Sequence, residues 1–73
     1  MKFDKDDLVR VIDISKKAST YSWMLNQIGR VNASYVSDEN IETYHVYFGP
    51  NPYEWDKFHV FSAADLELAY ASW

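Results

Sequence analysis

Glu42-Thr43-Tyr44-His45-Val46-Tyr47-Phe48, then Gly49-Pro50-Asn51-Pro52, then Trp55-Asp56-Lys57-Phe58-His59-Val60-Phe61 is the stretch that decides the fold. Apolar and polar side chains alternate on both sides of a Gly/Pro break. Proline cannot donate to a strand ladder, so the break reads as the loop of a β-hairpin. Placing Val46 opposite Phe58 sets Tyr44 against Val60, His45 against His59 and Tyr47 against Lys57. Both faces then alternate sensibly, as a hairpin register requires.

Outward from this hairpin the same period-two pattern recurs in short pieces. Ser62-Ala63-Ala64-Asp65 reads as one tight helical turn, and Leu66–Tyr70 as a short last strand. On the N-terminal side, Ser37-Asp38-Glu39-Asn40 is a polar turn. Before it, Arg30–Val36 reads as a strand with Val31, Ala33 and Tyr35 on one face. Gly29 at its entrance implies positive φ or a close backbone approach. The first strand is Leu8–Ile14, entered through an Asp6-Asp7 turn, with Val9 and Val11 facing the core. The polar stretch Ser15–Ser22 reads as a long loop. Trp23-Met24-Leu25 folds it back over the core, with room for one helical turn at Ser22–Gln27 capped by Ser22.

Strand, long loop, strand, turn, strand, hairpin, strand, single 3-10 turn, strand is an all-β order. It implies a five-stranded SH3-like small barrel over residues 1–73, with its core at about 6–69. With 73 residues, about 60% of the unfolded surface can be buried, enough for one thin core. Aromatics are abundant, thirteen residues or 18%. Some must fill that core, since each buries ~150–250 Å²; the remainder can serve recognition.

Asp7-Leu8-Val9-Arg10-Val11, Ile28-Gly29-Arg30-Val31, Tyr44–Phe48 and Phe58–Glu67 together resemble the pattern of small accessory barrels of photosynthetic complexes. The E polypeptide of photosystem I, the variable chain of ferredoxin–thioredoxin reductase and the S polypeptide of the photosynthetic NDH complex are similar examples. Glu54-Trp55-Asp56-Lys57 is most similar to the last. The resemblance implies an accessory or docking subunit without chemistry of its own. Where those barrels usually have Gly-Asp before the first strand, this chain has Asp6-Asp7.

No catalytic arrangement is legible. Cysteine is absent, and two glycines cannot form a phosphate-binding loop. No serine sits in a nucleophile elbow. The carboxylates are expected in solvated turns, where nothing would shift their pKa. His45 and His59, paired across the hairpin, lack the further ligands that zinc wants. The chain is therefore expected to be no enzyme and to need no metal or cofactor. No apolar leader follows Met1, and the longest uncharged stretch, Ala18–Gly29, is half polar. A soluble cytoplasmic protein is the expectation.

The functional reading is a protein-interaction module: an accessory subunit, adaptor or small inhibitor. Its contact residues would be Tyr21 and Trp23 from the long loop, with Tyr47, Tyr53 and Trp55 from the hairpin, because aromatics dominate interface hot spots. The net charge of −4 favours a partner with a basic surface and counts against nucleic acid. The alternative is a Tudor/KOW-like nucleic-acid-binding barrel using Lys16, Lys17, Arg30 and Lys57. A third reading is an aromatic cage for a methylated cation beside Glu54 or Asp56.

Overall fold

The computed structural model describes residues 1–49 and 58–70. Within them, β1 is Leu8–Val11, β2 Ile28–Val36, β3 Glu42–Tyr47, β4 Phe58–Ser62 and β5 Leu66–Tyr70. A 3-10 helix spans Ser19–Met24, and a 3-10 turn over Ala63–Asp65 precedes β5. The protein is all-β, as its periodicity implies. The strands form one antiparallel sheet in the order β4-β3-β2-β1-β5.

The core takes Val9 and Val11 from β1, Val31 from β2, Tyr44 and Val46 from β3, Phe61 from β4 and Leu66 from β5. β1 and β3 thus give alternate side chains to one interior, and β2, β4 and β5 add one buried side chain each. Phe3, ahead of the expected core boundary, also enters it. Its ring meets Tyr44 edge-on at 5.2 Å, and its N–H donates to the Tyr44 hydroxyl at 3.1 Å. That hydroxyl donates in turn to Glu42 Oε1 at 2.7 Å, which also accepts the Lys2 N–H. These bonds hold the Glu42 carboxyl below its usual pKa, the Tyr44 hydroxyl contributing most. The N-terminal segment is thereby fastened across one end of the core.

Three expectations are corrected. The β3–β4 register lies one residue away from the expected one. Tyr44 pairs with Phe61, His45 with Val60, Val46 with His59 and Tyr47 with Phe58. Phe58-His59-Val60-Phe61 has apolar residues at both parities, so alternation alone cannot choose. The larger Phe61 takes the interior, and Val60 is left 39% exposed instead of buried. His45 and His59 consequently lie on opposite faces. A register shift in β2 between Val31 and Ala33 splits the set expected to share a face. Val31 keeps the core face opposite Val46, while Ala33 and Tyr35 pair with His45 and Thr43 on the opposite face of the sheet. The loop helix is the third: it begins at Ser19 after Ala18, with no side-chain cap.

The entry to β1 is a turn, with Asp6 at φ 73° and its N–H donating to the Val31 carbonyl at 2.8 Å. Asp is one of the few side chains that tolerate this left-handed position. Asp7, expected in solvent, is buried and accepts the Asp4 N–H at 2.9 Å.

Gly29 is required by close approach, not by positive φ. A Cβ there would lie 2.5 Å from Val46 Cγ1, 2.8 Å from the Tyr47 carbonyl oxygen and 3.0 Å from Phe48 Cε1. Gly29→Ala must push β2 off β3, and is expected to destabilise the protein by about 1–3 kcal/mol in urea denaturation. An unchanged midpoint would show that the strands have slack.

Candidate functional site

The long loop between β1 and β2 is pinned at three points. At its start, Lys16 Nζ reaches Asp65 Oδ1 and Ser62 Oγ, each at 3.4 Å. Asp65 is another carboxylate expected in solvent but found buried, and it also accepts from Ser62 Oγ at 3.2 Å. Lys17 Nζ donates to the Val60 carbonyl and lies 4.4 Å from the centre of the Phe61 ring. In the middle, Met24 is wholly buried in the core. At the far end, Asn26 N–H donates to the Val11 carbonyl at 2.8 Å, and Val11 N–H to the Gln27 carbonyl at 3.0 Å. Asn26 takes the positive φ this turn needs, 68°.

Of the expected apolar knot, only Met24 enters the core. A 3-10 turn separates neighbouring side chains by about 120°. With Met24 pointing inward, Trp23 and Tyr21 are turned toward the rim, 51% and 39% exposed. Both rings rest on His59 of β4. Its ring centre is 5.5 Å from that of Tyr21 and 6.0 Å from that of Trp23. Trp23 also meets Phe48 edge-on at 5.7 Å, and Phe48 approaches His59 at 6.0 Å. These are the offset and edge-on arrangements that aromatic pairs prefer. The result is a four-ring platform of Tyr21, Trp23, Phe48 and His59, half in water and fixed from below.

Of the residues singled out from the sequence, the structure brings Tyr21 and Trp23 together. Tyr47 is 2% exposed and packed beside Phe58 between β2 and β4, so it stands apart from these two rings and borders only the neighbouring depression. Tyr53 and Trp55 lie outside the described residues, as do Lys57, Glu54 and Asp56 of the two alternative readings. Alternation missed His59 and Phe48 as platform members. The one-residue register error put His59 on the wrong face, and Phe48 looked like an ordinary core position. A second ring series crosses the other side of the sheet: Tyr35 to His45 at 5.5 Å and His45 to Phe58 at 4.7 Å.

Beside the platform lies a shallow depression of about 160 Å³, with Phe48 in its wall. Leu8, Ile28, Gly29, Arg30 and Tyr47 complete most of the lining. No group of three or more His, Asp or Glu suited to a metal occurs among the described residues. No helix among them is long and apolar enough to cross a membrane. Comparison with protein-family profiles, with curated proteins and with solved structures returns no match.

Two measurements test this arrangement. Burial, and secondly the positive Lys17, hold the His59 imidazole below its ordinary pKa of 6.5. The folded state therefore binds the proton less tightly than the unfolded chain. The stability it contributes is complete above pH 6.5 and is lost as pH falls from 6.5 through the folded pKa. Urea midpoints should decline over that interval in the wild type and stay flatter in His59→Gln. Equal slopes would place the titration elsewhere. Separately, Met24→Ala should cost about 2–5 kcal/mol, while Trp23→Ser should cost far less and leave the melting transition cooperative. The reverse order would mean that Trp23 is the anchor.

Proposed function

We propose that this chain is a protein-binding module whose contact surface is the ring platform of Tyr21, Trp23, Phe48 and His59. One observation carries the reading: Trp23 is half in solvent, yet it is held by two edge-on ring contacts and flanked by a buried Met24. A large aromatic presented in this way suits an interface anchor, because it adds apolar area and loses little freedom on binding. No contact within the described residues requires Trp23 to be outside. In this reading the protein is a cytoplasmic accessory subunit, adaptor or small inhibitor, with no catalysis of its own. The chemistry-bearing groups near the platform support that. Lys17 is occupied by a carbonyl and a ring, and His59 by its aromatic neighbours.

A photoreactive phenylalanine derivative at position 21, in the full chain expressed in its native cells, tests the proposal. A discrete adduct sensitive to protease and resistant to nuclease is expected. It should vanish with Trp23→Ser and be absent when the probe replaces Lys5. No adduct, or one destroyed by nuclease, would overturn the proposal.

A further inference from the structure

The overall charge points toward a basic partner, but the charge around the platform does not. Residues 14–37 contain three of the seven Lys and Arg and none of the eleven Asp and Glu. This acid-free segment supplies Tyr21, Trp23 and one wall of the neighbouring depression. Its three cations differ in employment. Lys16 is tied to Asp65 and Lys17 to the Val60 carbonyl. Arg30 is exposed on the outer face of β2, between Leu8 and Tyr47 in the ladder, and no described residue forms an ion pair with it. By contrast Arg10, one strand away, is matched by Glu67 at 3.1 Å.

We infer that the platform and the Arg30 depression form one continuous surface that takes a short acidic protein segment, an apolar side chain resting on Trp23 and Phe48 and a carboxylate reaching Arg30. The inference rests on the protein-binding reading and adds the chemistry of the partner. Phe48 joins the two halves, since it touches Trp23 on one side and lines the depression on the other. Gly29 contributes only backbone to the lining of the depression. The described lining includes no carboxylate that would repel an acidic group. Arg is the cation best shaped for a carboxylate, through two parallel N–H donors.

A nucleic-acid strand is the competing anionic occupant, and ring platforms do stack on bases. It would need several phosphates neutralised along a track. Here Lys16 is paired with Asp65 and Lys17 with the Val60 carbonyl, so one cation of the segment has no partner among the described residues. A single free guanidinium beside rings matches one carboxylate better than a row of phosphates.

A random dodecapeptide phage library selected on the immobilised full chain tests the inference, with a fluorescent ten-residue oligothymidine in a parallel binding assay. Selected peptides should pair an aromatic or large aliphatic residue with Asp or Glu. Affinity of a selected peptide should fall at least five-fold with Arg30→Gln and stay unchanged with Lys5→Gln, an exposed cation outside the lining of the depression. Both variants must first show the wild-type melting curve, which exposed positions permit. Selected peptides that lack acidic residues, or that bind Arg30→Gln equally well, overturn the inference but leave the platform reading standing. Failure to enrich any sequence above a Trp23→Ser control overturns both. Oligothymidine binding tighter than that of every selected peptide assigns the surface to nucleic acid and overturns both.

Discussion

The absence of a side chain at Gly29 is the constraint on which the sheet and its surface both depend. Opposite Val9 in the ladder, Gly29 lets Val46, the Tyr47 carbonyl and Phe48 close over β2 at distances no Cβ would allow. That approach carries the end of β3 far enough inward for Phe48 to meet both Phe61 and the loop ring Trp23. Gly29 and Phe48 both border the depression beside Arg30. A thin core of this size has little interior to spare. Bringing strands close with glycine and filling the space with rings gains more buried apolar area than a wider spacing filled with small side chains.

Charge is used locally rather than globally. Lys16 and Lys17 lie close to aromatic residues in the sequence and invite a reading as a ligand grip. In the fold they hold the long loop against β4 and the Ala63–Asp65 turn. Lys17 takes a carbonyl of the outermost strand β4 and partly covers Phe61, and burial lowers its pKa. A lysine placed at an edge strand also discourages pairing with another chain. The loop is therefore fastened by the two lysines, by backbone hydrogen bonds between Val11 and Asn26–Gln27, and by one fully buried methionine. The methionine dominates, because burying such a side chain is worth about 1.5–3 kcal/mol, whereas an exposed ion pair contributes at most about 1 kcal/mol.

Much of this was legible in the sequence, for a simple reason. Val9 and Val11 alternate with Arg10, whose charged head must stay in water, so period two sets which way they face. Alternation failed where both parities are apolar, as in Phe58–Phe61, and where an irregularity resets the count, as between Val31 and Ala33. Neither leaves a local mark: the first was settled by which ring fits opposite Tyr44, the second by the bend of the sheet. Phe3 was missed because its strand-like context is only one residue long. It is buried through a hydroxyl and a carboxylate that lie far along the chain, on Tyr44 and Glu42. Tyr21 and Trp23 could be named in advance because a polar loop has no internal use for two large rings. Their support by His59 could not, since it depends on the very register that alternation left undecided.

The packing beneath the platform separates the proposed recognition surface from scattered surface hydrophobics. Leu25, Ile28 and Tyr70 are also exposed, and single exposed apolar residues need no explanation. Trp23 differs because each of its neighbours is independently fixed. Phe48 packs against the core, His59 sits within β4, and Met24 is anchored inside. In the proposed complex a partner meeting this ring need not order it first, which lowers the ordering cost of binding. The same fixity gives direction. One side of the platform falls away to the Arg30 depression, and the other is closed by Lys17 over Phe61. In the proposed complex an extended segment crossing Trp23 would pass the one nearby cation that the described residues leave uncompensated.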